Sequence, residues 1–344
     1  MINEVQAYLK SKLQDSSKQS LSVSDKEIIN KIGVEQYIFT KLASKKFRKW
    51  KMADTCVDRV KKAINIAITN EKPLEVVFFQ GGYKLWRFPS SPESDWAEFF
   101  NIAYLIEYLT SIVKAYKPGV TLTYYIHTLL MEQHDNLTTQ EIKEYVVSFQ
   151  ILLDEFSKYL PSNFKIKILR DADIYSRSEY FQRLEEGVEI AKKQYQELTQ
   201  EKKDHFDKLG RLNIKWKGKE DWTKLTEKEK NEKIYKGVLH EMSATANLPK
   251  VMSIVKSDDK VCLFTNPAPI FIAIGSTKTS VTKYWTGYGV LEYRNGKFYD
   301  RVLSPSQFEQ LKNIQHDKVK TELINLSNFK EIWVYNKAID FTKK

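Results

Sequence analysis

The sequence predicts an α/β protein on a Rossmann-like, mostly parallel sheet. Three observations predict it. The run "LEVVFFQ" is short and mostly apolar, the type of strand buried on both faces of an α/β sheet, and "VTLTYYIHTLLM" and "FKIKILRDADIY" read as a second and a third strand. They alternate with the amphipathic stretches "ESDWAEFFNIAYLIEYLTSIVKAY" and "TTQEIKEYVVSFQILLDEFSKYLP". The connections between them are short, as β-α-β-α-β units require.

Residues 1–72 predict an N-terminal helical layer. Ile28, Ile29, Ile32, Val34, Ile38 and Leu42 recur close to helical spacing, and Val57, Val60, Ala63, Ile64 and Ala67 share a second face ending at Pro73. Residues 73–177 form the Rossmann-like core. Its first helix has Ser94 or Asp95 as cap, Glu98 in its first turn and Pro118-Gly119 at its end. Residues 178–247 are highly charged with mixed sign, as in a solvated helical insertion or cap. Residues 248–344 return to strands and complete the core. The step from Arg294 to Lys297 reads as a type I′ hairpin, because Asn-Gly suits two successive positive φ angles.

At 344 residues the chain accommodates one large or two modest domains, and 42% hydrophobic with 29% charged residues is ordinary for a globular protein. No apolar run approaches the ~18–20 residues of a membrane span, and the N-terminus lacks the apolar core of a signal peptide, so a cytoplasmic protein is expected. Cys56 and Cys262 are the only cysteines, which excludes a disulfide framework and a cysteine zinc site. The net charge of +11 favours anionic partners without choosing among them, and a lysine-rich genome gives the same surplus.

The stretch "QGGYKLWRFPSSPESDW" carries the chemistry. In a parallel sheet, ligands bind beyond the carboxyl ends of the strands, where loops enter helices. Gly81 and Gly82 let backbone amides approach a ligand, and the next helix presents a positively polarised N-terminus. Lys84 and Arg87 add cationic donors suited to phosphate or carboxylate, and a buried Lys can also form a Schiff base with a ketone. Asp95 suits a substrate amine or an N-cap equally well. Neither GxGxxG nor GK[ST] is present, so the loop is an anion site of unspecified ligand.

Among the histidines, His134 beside Asp135 and His240 beside Glu241 are the polar pairs suited to proton transfer. No HExxH spacing supports zinc, so no metal is expected. "GSTKTSVTKY" suits either a phosphate contact or a surface hairpin. "SKKFRKWKM" interleaves aromatics with cations, a nucleic-acid pattern, or else forms an amphipathic helix with Phe47 and Trp50 turned inward.

From about Glu75 to Phe308 the order of strand, lysine-bearing loop, Asp-Trp helix start and "YKPGVTLTYY" resembles the isocyanide (isonitrile) synthases of pyoverdine/paerucumarin- and dityrosine-type pathways. Lys84, Asp95 and Glu98 stand where that family has a lysine in its loop and an Asp and Glu at the helix start. "VCLFTNP" and "YWTGYGVLEYRNGKFYDRVLSPSQF" parallel two later strands, with Asn266 and Tyr288 in place of family histidines. Asp135 and Asn136 are loosely equivalent to a Ser-Asp-Gly-Arg segment. The resemblance implies that the α-amine of an amino acid joins the carbonyl carbon of ribulose 5-phosphate, with no metal or organic cofactor. Lys84 and Arg87 would then bind phosphate or activate the ketone. Asp95 or Glu98 would orient the amine, with Gly82, His134 and Asn266 beside them, and Tyr288 or His240 would move protons. Two other readings stay open: a basic nucleic-acid-binding or -modifying protein, and a non-catalytic interaction protein on the same scaffold.

Overall fold

The computed structural model describes residues 2–81, 92–134, 137–217, 224–265, 269–274, 287–303 and 305–339. Helices α1 (Ile2–Asp15), α2 (Val23–Leu42) and α3 (Asp54–Thr69) precede β1 (Leu74–Gln80). Then come α4 (Trp96–Ala115), β2 (Val120–Ile126), α5 (Thr128–His134), α6 (Thr139–Ser157) and β3 (Phe164–Arg170). The charged region holds α7 (Arg177–Gln196), α8 (Gln200–Lys217) and α9 (Glu227–Ala246), followed by α10 (Pro249–Lys256), β4 (Lys260–Phe264) and β5 (Ile272–Ala273). The chain ends with β6 (Tyr288–Arg294), β7 (Lys297–Leu303), α11 (Pro305–Leu311), β8 (Asp317–Lys320) and β9 (Glu331–Tyr335).

The first sheet has the order β3-β2-β1-β4-β5 and every pairing in it is parallel. The Rossmann-like architecture expected from the strand–helix alternation is the one observed. β1 is central because Val76, Val77, Phe78 and Phe79 are buried, so both of its faces are covered. On one face Tyr124 meets Phe149 of α6 edge-on at 5.1 Å and Phe78 at 5.6 Å. On the other, Cys262 of β4 lies 3.7 Å from the Val255 carbonyl of α10, and Arg59 of α3 donates to the Val255 and Ser257 carbonyls. The chain steps outward from β1 to β2 and β3, then returns to the opposite side of β1 as β4. That reversal opens the crevice in which α/β sheets bind ligands.

The second sheet has the order β7-β6-β9-β8. Its β6–β7 hairpin turns at Asn295 and Gly296 with φ of 50° and 72°, the left-handed pair expected of Asn-Gly. Glu292 and Arg301 form a buried cross-strand ion pair at 2.9 Å, and Arg294 sits 2.9 Å from the other Glu292 oxygen. Between the two sheets runs α4, 14 of whose 20 residues are buried, so it is apolar all round rather than on one stripe.

Three expectations fail. The second strand, expected to run through Met131, stops at Ile126, and the residues after it form the helix α5. α2 is not one straight helix: Gly33 takes φ 80°, ψ 165°, and Asp25 meets Lys41 at 2.8 Å. In an unbroken helix residues 16 apart would be separated by about 24 Å. The chain therefore reverses at Gly33 into a helical hairpin, because the apolar residues before it leave Ile32 exposed while Tyr37, Ile38 and Leu42 are buried. The segment 44–52 is not a helix either. It is a turn leading to an isolated bridge between Arg48 and Ile274. Phe47 is buried, stacked on Tyr108 at 4.3 Å, and Trp50 is exposed. Among the described residues no helix is long and apolar enough to cross a membrane.

The α2 hairpin predicts a pH dependence. Burial works to raise the Asp25 carboxyl, but hydrogen bonds from Lys41 and Ser22 outweigh it and bring it down to about 2. A carboxylate depressed in the folded state stabilises that state above its unfolded pKa of about 4 and loses this contribution as pH falls through the folded value. Amide exchange in residues 34–42, followed by NMR, is expected to accelerate beyond its intrinsic pH trend between about pH 4 and pH 2. Asp25→Asn should remove that extra step.

Candidate functional site

The candidate site lies at the carboxyl edge of the first sheet, where β1 and β4 end side by side. Gln80 is the last residue of β1. Thr265 follows β4 in continuation of the register that pairs Val77 with Cys262 and Phe78 with Leu263, which places it beside Gln80 on the same face. Helix α4 begins over this edge with a buried capping box. Asp95 accepts from the Ala97 amide at 2.7 Å, and Glu98 accepts from the Asp95 amide at 3.0 Å. Such boxes usually face water, yet here Asp95 and Glu98 are 2% and 1% exposed.

A hydrogen-bond chain ties this box to the strand. Tyr145 of α6 donates to Glu98 Oε1 at 3.1 Å and accepts from Gln80 Nε2 at 2.8 Å. Burial and then the Glu98 charge push the Tyr145 phenol well above its ordinary range, so it stays protonated and serves as the donor. That direction fixes the Gln80 amide, with Oε1 turned away from Tyr145. Nearby, the Ser94 amide donates to Ser148 Oγ at 2.9 Å and Tyr124 donates to Asn101 Oδ1 at 3.3 Å.

Gln80 Oε1, Asn101 Nδ2 and Thr265 Oγ1 are buried with no hydrogen-bond partner among the described residues. A buried polar atom left unpaired costs about 1–3 kcal/mol. An acceptor, a donor and a hydroxyl orphaned on one sheet face at a ligand-binding edge fit a polar guest rather than an apolar one.

On the other face, Asp171 follows β3 and is fully buried. It accepts from Thr128 Oγ1 at 2.5 Å and from the Leu129, Leu130 and Ala172 amides, holding the start of α5 against the sheet. Burial raises its carboxyl more than these donors lower it. His127 directly follows β2, its ring 4.8 Å from Tyr125 and 6.3 Å from Phe79. It thus stands at the same carboxyl edge.

The residues expected from sequence are distributed unevenly. Asp95 and Glu98 come together at the edge. Gly82, Lys84, Arg87, Asn266, Asp135 and Asn136 lie outside the described residues. The chain nevertheless leaves the sheet at Gly81 and re-enters the described part at Pro92. Glu93 is then fastened to the second sheet's approach, its carboxylate to the Ser327 amide at 2.7 Å and its carbonyl to Asn328 at 2.8 Å. Asn266 follows Thr265 directly. Tyr288 stacks on Phe308 at 4.1 Å and meets Trp333 at 5.3 Å in an apolar cluster of the second sheet. Its neighbour Gly289 faces α4, so Tyr288 projects from the opposite face. His240 is buried on α9 with Nε2 3.6 Å from Glu185 of α7. His134 is the last residue of α5.

Sequence reasoning missed Gln80, Asn101, Tyr145 and Thr265. Gln80 and Thr265 had a readable signal, since each is the polar residue that closes an apolar strand. Asn101 stands three residues after Glu98 on an apolar helix, which was a second signal. Tyr145 had none.

No family model matches the sequence, and no curated protein matches it significantly. Among solved structures, one alignment covers 88% of this chain and 99% of the other, with a TM-score of 0.62 and 13% identity. The chain is similar in fold to the PvcA protein from Pseudomonas aeruginosa. PvcA and this chain thus share an architecture over nearly the whole of PvcA, and at this identity the likeness concerns the fold alone.

Two outcomes test this edge. A Cβ on Gly289 would come within 2.3 Å of the Trp96 carbonyl carbon and 2.4 Å of the Ala97 nitrogen, both backbone. Gly289→Ala is therefore expected to cost about 3 kcal/mol or more in urea unfolding, the upper range for overpacking. Tyr145→Phe leaves Glu98 Oε1 and Gln80 Nε2 without this partner, and should cost about 1–3 kcal/mol in the same measurement.

Proposed function

We propose that the protein is an isocyanide-synthase-like enzyme that condenses an amino acid or related amine with a sugar phosphate such as ribulose 5-phosphate. The observation that carries this reading is the buried carboxylate pair Asp95–Glu98 at the sheet's switch point, with polar atoms of Gln80, Asn101 and Thr265 on the same face that have no partner among the described residues. The sequence resemblance, with Lys84, Asp95 and Glu98 at matching positions, and the fold shared with PvcA support it.

The chemistry divides among groups of different kinds. A sugar phosphate needs cations for its phosphate and a polarising group at its carbonyl, which Lys84 and Arg87 supply. An amine needs a negative group to orient it, and Glu98 is held in place for that by Tyr145 and by the Asp95 amide. An imidazole is suited to proton transfer near neutral pH. His127 takes that role in this reading, because it directly follows β2 at the carboxyl edge whereas His240 on α9 lies against Glu185 of α7 and Tyr288 stacks in the second sheet. For the nucleic-acid reading, "SKKFRKWKM" keeps one aromatic accessible, Trp50, while Phe47 is buried and unable to stack on a base.

Incubation with ribulose 5-phosphate and a panel of amino acids, followed by mass spectrometry, is expected to reveal an isonitrile product or an imine adduct. Lys84→Ala should abolish it, and His127→Ala should slow its formation by about a hundredfold or more, the scale of general acid–base catalysis. No product or adduct from any amine in the panel would overturn the reading.

A further inference from the structure

A second cleft opens along α4, bounded by α1, α2 and β7, with a volume of about 670 Å³. Its α4 wall runs from Tyr104 to Ser111, six to thirteen residues after Glu98, so it extends from about 9 to about 20 Å along the helix from the carboxyl edge. The volume falls in the range of small-molecule sites.

Its charges are sorted. Lys12 lies 3.2 Å from Asp300 and 3.6 Å from Glu107, and Lys41 lies 2.8 Å from Asp25. Burial disfavours the Lys12 charge, but Asp300 and Glu107 outweigh it and hold its pKa above the ordinary lysine value. These walls are internally neutralised. Lys45 and Lys46 line the same cleft, are exposed, and make no ion pair among the described residues. The anchoring of this rim is firm, because Tyr104 donates to the Lys46 and Phe47 carbonyls at 3.1 and 3.0 Å and Phe47 is buried beneath it.

The other end of the cleft is polar and rich in acceptors. Ser111 donates to the Tyr108 carbonyl at 3.2 Å. Asp25 and Glu107 present carboxylate oxygens. Beneath them Tyr37 is 1% exposed, and its hydroxyl lies near Ser111, Asp25 and Tyr108. An apolar guest would strand these polar groups, whereas hydroxyls can donate to them.

We propose that this cleft is a second ligand site, for a phosphorylated polyol whose phosphate meets Lys45 and Lys46 and whose hydroxyls meet Ser111, Asp25 and Glu107. Vicinal hydroxyls donate to carboxylates, while a phosphoester pairs with two ammonium groups. The ligand chemistry is shared by hexose phosphates and by the ribose phosphate of a nucleotide. The site is separate from the one proposed for catalysis and does not depend on it.

Isothermal titration calorimetry of the full chain with glucose 6-phosphate, AMP, inorganic phosphate and glucose tests it. Saturable binding of glucose 6-phosphate alone identifies a sugar phosphate, of AMP alone a nucleotide, and of both the common phosphate–polyol unit. In each supporting case Lys45→Glu/Lys46→Glu should weaken binding at least about tenfold, the loss of roughly one charge-assisted hydrogen bond. Lys84→Ala/Arg87→Ala should leave it unchanged. Because both cleft lysines are exposed, circular dichroism should show the cleft variant folded. The proposal is overturned if neither phosphoester binds, if inorganic phosphate or glucose alone binds as tightly, or if only the Lys84→Ala/Arg87→Ala variant loses binding.

Discussion

The architecture depends on how closely β6 approaches the first turn of α4. Gly289 lies so near the Trp96 and Ala97 backbone that no side chain fits between them. The second sheet can therefore press directly on the helix start, and the Trp96 indole reaches past it to donate to the Glu331 carbonyl at 2.9 Å. Helix α4 is clamped between two sheets at the end where its amides are unpaired. With water excluded there, those amides must be met by protein groups. Asp95 and Glu98 meet them, and this is why two carboxylates are buried at that position.

Burial changes what a capping box does. On a surface it contributes about a kilocalorie to helix stability. Under a second sheet it fixes two acidic groups, through Tyr145, relative to the last residue of the central strand. The same exclusion of water leaves Gln80, Asn101 and Thr265 with atoms that have no partner among the described residues. Local stability and the preparation of a polar binding edge draw on one arrangement, and they oppose each other in energy. Unpaired polar atoms persist in a fold where something else over-determines them.

Much of this was readable in the chain and some was not. β1 and β2 announced themselves as mostly apolar runs and β3 as an alternating one, each set between helical stretches, and Asn295-Gly296 announced its hairpin, because these signals are local in sequence. The box of Asp95 and Glu98 was visible as a capping spacing, but its burial was not, since the strand that covers it lies nearly 200 residues later. Gly33 was read through as part of a helix because hydrophobic spacing continued across it. The left-handed angle there and the pairing of Asp25 with Lys41 are choices of tertiary packing. Phe47 and Trp50 share a helical spacing, yet bonding to Ala273 and Ile274 drew that segment into an irregular path.

The amino-acid sequence alone determined the class of fold, the alternation of strands and helices along the chain and the identity of an acidic helix start after a basic loop. Those properties follow from neighbours a few residues apart, whose periodicity and turn chemistry act before any distant contact forms. Tertiary structure alone decided which polar groups share the edge, that Tyr145 links Glu98 to Gln80, and that Tyr288 and His240 pack in other parts of the molecule. Such groupings depend on exclusion of water by elements far apart in the chain, and a linear pattern carries no record of that.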